Sequence, residues 1–404
     1  MLFAHMSDCH IGSWQRHPKL SGASTAAFKQ AMDICIQRNV DFILISGDLF
    51  DTAVPNVDSL KEAVLKLKQV KDSGIPVYVI PGSHDYSHSG RTMLDVLEGA
   101  GLFVNVSKIR EAGGKITVEL AEDAKTGAKI VGLPGLKGGL EKSYYLDLFR
   151  EQLEAAEGFK IFMLHSGIEE FKPPHLEQME AIPLAFFPKG FNYYAAGHIH
   201  HQFSARVKDY GLIAFPGPGF PNSFDELERL GHGGFYIVEA ADEIKLEHVP
   251  LRVHNFASFK LDCTGLSPRE VEAAILKYAS ANNFEGAIVG LRLSGTIKGG
   301  RTSEIRFREI FESFHSAGAY CILKNAHSLS SEFFEEVKVQ SGSVEDIESD
   351  LIIQHAGKLS ASDAAFTKSL LSALSAEKEE GERQADFESR LMADFDRLLS
   401  GLKL

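Results

Sequence analysis

An α/β domain is expected over residues 1–255, followed by a small α+β unit and a helical tail. Three observations predict this. Short apolar runs alternate with amphipathic stretches. Polar clusters, several containing glycine, close the apolar runs. Near residue 256 a second, shorter series begins, and from about residue 330 the chain becomes acidic and weakly patterned. Continuous apolar runs bounded by turn residues mark strands buried on both faces, whereas a helical period marks a one-sided helix.

The first strand is expected at Met1-Leu2-Phe3-Ala4-His5-Met6, which lacks the basic flank and cleavage site of a signal peptide. Helices are expected over Thr25–Arg38 and Ser59–Ser73, each leading into a strand, at 41–46 and 75–80. A hairpin is expected from Lys115 to Gly132, turning at Lys125-Thr126-Gly127. Two further strands, 160–164 and 193–196, run into histidines. In the second unit (256–329), Ser267-Pro268-Arg269-Glu270 carries an N-cap, a proline at the first helical position and a capping-box glutamate. A strand at Ala287–Leu293, a helix at Ser303–Ser316 and a strand at Tyr320–Leu323 follow. Residues 330–358 read as a linker. The tail (359–404) carries Phe366, Leu370, Leu371 and Leu374 at helical spacing, then Phe387, Leu391, Phe395, Leu398 and Leu402. Such helices either dock on their own domain or bind a partner.

No apolar run of about eighteen residues is present, so no membrane helix is expected, and the reading places the protein in the cytoplasm. Cys9, Cys35, Cys263 and Cys321 form no C-x-x-C pair and read as buried reduced thiols. The net charge of −13 opposes a nucleic-acid ligand unless bound cations or a partner chain offset it. Neither a G-x-S-x-G elbow nor a phosphate-binding P-loop occurs, which disfavours a serine hydrolase and an intrinsic P-loop ATPase.

Chemistry concentrates in five clusters: Asp8-Cys9-His10, Gly47-Asp48-Leu49-Phe50-Asp51, Gly82-Ser83-His84-Asp85, His165, and Gly197-His198-Ile199-His200. Each follows an apolar strand. On extended backbone Asp8 and His10 point the same way, as do His198 and His200, with Cys9 and Ile199 turned away. Glycines 47, 82 and 197 allow tight turns beside a ligand. One D-x-H or H-x-H is a chance pattern; five pieces in order at strand ends are specific. Carboxylates and imidazoles without thiolate suit manganese, iron, cobalt or zinc better than calcium. Two cations about 3.5–4 Å apart can clamp a phosphoryl group and activate water.

The ordered set resembles the calcineurin-like metallophosphoesterase superfamily. Within it, the chain resembles the SbcD-type subunits of double-strand-break repair nucleases. Supporting segments are Ser7–Gly12, Gly47–Asp51, Met93-Leu94-Asp95-Val96-Leu97, Tyr193–His200, and, in the second unit, Leu291–Thr296 and Arg301–Ile305. The resemblance implies a β-sandwich flanked by helices, with the second unit as a cap that contacts DNA. It implies that Asp8, His10 and His200 hold one divalent ion, that His165 and His198 hold another, and that Asp48 bridges them. Manganese is the expected metal. His84 would stabilise the transition state or protonate the leaving oxygen, with Asp51, or alternatively Asp85, orienting it. The third motif of the family reads Gly-Asn-His, the amide oxygen reaching the second metal. Here Ser83 takes that place, so a weaker second site is expected. Trp14, Arg16 and Lys19 follow the first motif, where an aromatic among cations can contact nucleic acid; an ordinary solvated loop with one tucked Trp is the alternative. The resemblance further implies 3′-to-5′ exonuclease and single-strand endonuclease activity, a homodimer, and an SMC-like coiled-coil ATPase partner gripped by the tail, in a nucleoid-associated complex. The competing readings are a phosphodiesterase for nucleotides or other small molecules, and a DNA-end-binding scaffold of weak activity.

Overall fold

The computed structural model describes residues 1–86, 92–332, 369–370 and 384–400. The chain begins with β1 (Leu2–Met6), α1 (Ala23–Gln37), β2 (Phe42–Ser46), α2 (Val57–Asp72), β3 (Val77–Ile80), α3 (Met93–Gly99) and β4 (Val104–Asn105). A hairpin, β5 (Ile109–Ala112) and β6 (Lys115–Val118), follows. Next come β7 (Ala121–Glu122), β8 (Lys129–Leu133), α4 (Lys142–Asp147), α5 (Arg150–Glu154), β9 (Lys160–His165), β10 (Tyr193–Gly197), β11 (Phe203–Val207) and β12 (Gly211–Phe215). After α6 (Phe224–Leu230), β13 (Gly233–Ala240) and β14 (Ile244–Leu251), a last series holds β15 (Phe256–Asp262), α7 (Pro268–Ala281), β16 (Ile288–Ile297), α8 (Phe307–Ser316) and β17 (Cys321–Ser331).

Two six-stranded sheets, ordered β14-β13-β1-β2-β3-β4 and β11-β12-β10-β9-β8-β7, form the sandwich. Strand alternation explains it. Phe3, Phe42, Leu44, Tyr78 and Ile80 from one sheet meet Ile130, Ile161, Met163, Tyr193 and Ala195 from the other in one buried layer. The intervening Ala4, Ile43, Ile45 and Val79 pack outward against residues of α1, α2 and α3, such as Phe28, Leu67 and Leu97. On the outside of the second sheet, Phe162, Leu164 and Tyr194 pack with Tyr145 and Leu153 of α4 and α5. Both faces of the central strands are therefore covered, which is why they read as unbroken apolar runs. β1, β2 and β3 are mutually parallel, as are β8, β9 and β10, so each set delivers its carboxyl ends to one edge. Clefts of open α/β sheets form beyond such ends.

In the last series, β15, β16 and β17 make a parallel three-stranded sheet with its own core of Val271, Ile275, Leu291, Ile310 and Phe314. The expected helix start is present: Ser267 and Glu270 form a reciprocal capping box with Pro268 inside it. Residues 1–331 pack as one compact unit.

Three local expectations need correction. Lys125–Gly127 does turn a hairpin, but only between β7 and β8; β6 pairs back to β5 through the Gly113-Gly114 turn, so Lys115–Val118 belongs to a separate two-stranded sheet. β17 runs well past Leu323 and into the expected linker, to Ser331, which pairs with Ile297. Its later residues, Lys324 to Ser330, are mostly polar and half-exposed or exposed, so their strand signal is weak. β16 likewise continues to Ile297, through an irregularity between Arg292 and Ser294. The rest of the linker and most of the first tail helix lie outside the described residues. The second tail helix is present, by itself, as α9 (Gln384–Ser400).

Candidate metal centre

The five clusters converge at one edge of the sandwich. Ligand-type atoms of Asp8, His10 and His200 lie within 4.8 Å of one another, as do those of Asp8, Asp48 and His165, and those of His10, Asp48 and His84. These three triads overlap in one cluster, and four of its members, His10, Asp48, His84 and His200, open onto a single cleft. It is a cavity of about 580 Å³ lined by His10, Asp48, Asp51, Ser83, His84 and His198, among others.

Backbone conformation, rather than strand alternation, aims several of these side chains. Of the seven non-glycine residues with positive φ among the described residues, four are Asp8 (51°), His10 (42°), Asp48 (52°) and His198 (82°). The left-handed region disfavours residues with a Cβ, and its use by four potential ligands is strain concentrated at a functional site. The expectation of extended backbone through Asp8–His10 and His198–His200 is therefore wrong in its reason. Both pairs lie beyond their strands, β1 and β10, where the chain turns. Its outcome holds for Cys9, which is buried in the apolar cluster beneath α1, with its thiol pushed up by burial and by nearby Asp8. His165 does obey alternation: it continues the inward series Ile161, Met163 on β9.

The glycines act mainly by making room. At Gly47 a Cβ would sit 2.2 Å from His165 Nδ1, and φ is +86°. At Gly82, where φ is not positive, a Cβ would sit 2.3 Å from Asp48 Oδ1. Tight turning is therefore the wrong reason at Gly82; close approach is the right one.

Two imidazoles, His165 and His200, share one arrangement, while the Nδ1 of His10 is buried without a hydrogen bond. His165 Nδ1 donates to the carbonyl of Ser46 (2.8 Å), and its Nε2 is buried without a hydrogen bond, 3.2 Å from Asp48 Oδ2. His200 Nδ1 pairs with Glu226 Oε1 (2.9 Å), and its Nε2 lies 3.4 Å from Asp8 Oδ1. His10 Nδ1 lies 3.4 Å from Asp51 Oδ1, and its Nε2 lies 3.2 Å from His200 Nε2 and 3.7 Å from Asp48 Oδ2. Fixing Nδ1 against an acceptor fixes the ring and leaves Nε2 for a metal. Buried Nε2 atoms gathered around two carboxylates fit divalent cations, and no thiolate is present to favour softer ions.

Electrostatics agree. Burial opposes ionisation of Asp8 and Asp48, but hydrogen bonding and charge from His200 overcome this at Asp8, and His165 does so at Asp48; both stay well below the usual carboxylate range. Burial likewise opposes charge on His200 and His165, yet Asp8 and Glu226 raise the former to about 10, and Asp48 raises the latter to about 9. His198 goes the other way, to about 4, through burial and the neighbouring His165.

Other expected residues fall as follows. His198 joins none of the three triads; its ring stands edge-on to His165 (5.1 Å between centroids) and its backbone N–H donates to the Asp8 carboxylate. Ser83 lines the cavity. His84 is exposed at the cavity, and its Nδ1 donates to the backbone carbonyl of Asp51 (2.7 Å), not to the carboxylate. The expected Asp51–His84 carboxylate contact is therefore replaced: the Asp51 side chain faces His10, because the turn after Phe50 presents its carbonyl to His84. Asp85 does not orient His84 either. It is fully buried, accepts N–H groups of Gly82, Leu49 and Phe50, and is raised to about 7 by burial and by Asp48. Trp14 is half-buried, and its indole N–H donates to the Pro221 carbonyl (2.8 Å). Lys19 donates to the Tyr320 carbonyl (2.7 Å), while Arg16 is exposed.

Two contributors escaped the sequence reading. Glu226 sits in the first turn of α6, where Ser223 caps its N–H and Asn222 donates to its Oε2 (2.8 Å). The Ser223-x-x-Glu226 spacing marks a helix start, but nothing in the sequence directs that carboxylate to His200. His5 lies beneath the site. Tyr193 Oη donates to its Nδ1 (2.8 Å), and its Nε2 donates to Ser46 Oγ (3.2 Å), which itself donates to the Ala195 carbonyl. Burial lowers His5 to about 3, keeping it neutral.

The calcineurin-like phosphoesterase family matches residues 1–202, half of the chain. A DNA double-strand break repair protein Mre11 from Sulfurisphaera tokodaii is 31% identical over 299 residues, covering 72% of this chain and 73% of that protein. One from Thermoplasma acidophilum is 27% identical, covering 72% and 77%, and one from Saccharolobus solfataricus is 30% identical, covering 58% and 59%. The chain thus spans about three fifths of the Saccharolobus relative. No helix among the described residues is long and apolar enough to cross a membrane. The sandwich, the clustered carboxylates and imidazoles, and the extent of these matches lead to one conclusion: this chain belongs to the calcineurin-like phosphoesterase family.

Proposed function

We propose that this chain is a two-metal phosphodiesterase acting on DNA in double-strand-break repair. The observation that carries the metal reading is the convergence of three overlapping ligand triads in one cluster. Asp8, His10 and His200 hold one ion, His165 and His198 the other, and Asp48 lies between them. Such ions polarise the phosphoryl oxygens and make water nucleophilic near neutral pH. The chain's own residues do the rest. Asp48 has its Oδ1 fixed by the His84 backbone N–H (2.8 Å), leaving Oδ2 toward His165 and His10. His84, with Nδ1 committed to the Asp51 carbonyl, offers Nε2 to the substrate, where it stabilises the developing charge or protonates the departing oxygen. Manganese is the metal proposed, as the donor set suits it.

The repair role comes from relatives named as double-strand break repair proteins. It includes 3′-to-5′ exonuclease and single-strand endonuclease activity, a homodimer, and a coiled-coil ATPase partner of the SMC-like type. Residues 256–329 serve as the cap and the helical tail as the partner's grip; exposed Arg16 is the best-placed of the loop residues to meet a phosphate. A second reading, a small-molecule phosphodiesterase, draws on the net charge of −13 and on Arg229 being the one Lys or Arg among the described residues lining the cavity. The test is to incubate the purified chain and manganese with labelled linear DNA and, separately, with a small phosphodiester. Shortening of the DNA with little small-diester turnover supports the nuclease; the reverse pattern favours the second reading. Inertness toward both, with every divalent metal, favours a DNA-end-binding scaffold.

A further inference from the structure

Helix α6 touches the metal cluster on one side and the three-stranded sheet on the other. On the inner side it holds His200 twice. Glu226 takes the ring through Nδ1 (2.9 Å), and Arg229 donates to the His200 backbone carbonyl (2.9 Å). The Glu226 carboxylate is fixed at its second oxygen by the Asn222 N–H, and its own N–H by Ser223, so it cannot swing without moving the start of the helix.

On the outer side the same helix is gripped by β15 and β16. Arg292 Nε donates to Glu228 Oε2 (2.8 Å), and the guanidinium also pairs with Asp225. That guanidinium lies 4.9 Å from the centre of the Phe224 ring. Ser258 donates to Glu228 Oε1 (3.1 Å), and Lys260 Nζ lies 3.4 Å from Glu228 Oε2. The Glu228 side chain at the centre of these contacts is only 8% exposed, while Lys260 and Asp225 stand largely in solvent. Residues 224, 225 and 228 thus face the sheet while 226 and 229 face the metal cluster, on one helix two turns long.

We infer that α6 is a strut coupling the small α+β layer to the metal site, with Glu226 and Arg229 as positioning residues for His200. A ligand or partner that shifts β15 and β16 then changes the metal affinity of the Asp8–His10–His200 half without touching it. This rests on the metal reading above.

The experiment is manganese titration of the full chain by calorimetry, comparing the parent with Glu226→Ala, Glu226→Gln and Arg292→Met, alongside kcat at low and saturating manganese. Removing a carboxylate that orients a ligating imidazole weakens metal binding roughly 10- to 100-fold. Glu226→Ala should show that loss in one of the two binding components. Glu226→Gln, which keeps an acceptor for Nδ1–H, should recover most of it. Arg292→Met, remote from the cluster, should weaken the same component about tenfold, with kcat restored at saturating manganese, the range being that for supporting residues. Should Arg292→Met fail to fold, Glu228→Gln reads the same contact. A parent that binds no manganese overturns the metal reading and the coupling together. A parent that binds, with Arg292→Met (or Glu228→Gln) indistinguishable from it, overturns the coupling alone.

Discussion

The two halves of the candidate centre are built from the same residue types but supported differently. In the Asp8–His10–His200 half, the imidazole of His200 is backed by the Glu226 carboxylate, and Asp51 Oδ1 lies 3.4 Å from His10 Nδ1. In the Asp48–His165–His198 half, His165 is backed by a neutral carbonyl, Ser46 O, and the position that carries an Asn in the family pattern is Ser83. A carboxylate behind an imidazole raises its basicity more than a carbonyl does. The first half should therefore bind its ion more tightly, and the asymmetry follows from support rather than from the ligands themselves.

The harshest way to break this comparison is to remove the residue common to both halves. Asp48→Ala should abolish both manganese-binding components in calorimetry and reduce cleavage to background; survival of either component would show that the halves do not share it. Next in size, His84→Ala should lower kcat by about 10²–10⁴-fold, the range for general acid–base groups, with both components intact. Loss of binding instead would make His84 a ligand, as its place in a triad with His10 and Asp48 allows. Ser83→Asn sharpens the comparison: it should tighten the weaker component by about tenfold or less, on the scale of a supporting contact, and leave the stronger one unchanged.

The smallest effect tests the support beneath the second half. His5 has a folded value near 3 against an ordinary 6.5, so the unfolded chain binds the extra proton between these values. The stability it contributes is complete above pH 6.5 and is lost as pH falls toward 3, at no more than about 1.4 kcal/mol per pH unit. Urea midpoints of the metal-free protein at pH 7, 5.5 and 4.5 should fall less steeply for His5→Asn than for the parent. Parallel slopes would mean that His5 does not titrate in this window.

Much of this molecule is legible in its sequence, for identifiable reasons. β2, β3, β9 and β10 announce themselves because both faces are apolar, and the clusters at their ends are polar islands after apolar runs. The Ser267 capping box is written in four consecutive residues. What stays hidden is of two kinds. The left-handed backbone at Asp8, His10 and Asp48 arises from how the loops after β1 and β2 pair with each other, as in the His10 N–H bond to the Asp48 carbonyl (3.0 Å). Periodicity carries no trace of such pairing. Glu226 is invisible for a related reason: only the tertiary path from β12 into α6 brings its carboxylate to His200. The Asp51 error belongs here too, since sequence cannot say whether a residue offers its side chain or its carbonyl.

Cys9 stands between two potential ligands, yet its sulfur is turned into the apolar layer under α1 and held protonated by burial. Had the loop bent the other way, the cleft would display a thiol beside its imidazoles, an open invitation to cadmium, mercury or cuprous copper. The same bend that brings Asp8 and His10 to the cleft thus keeps sulfur out of its donor set.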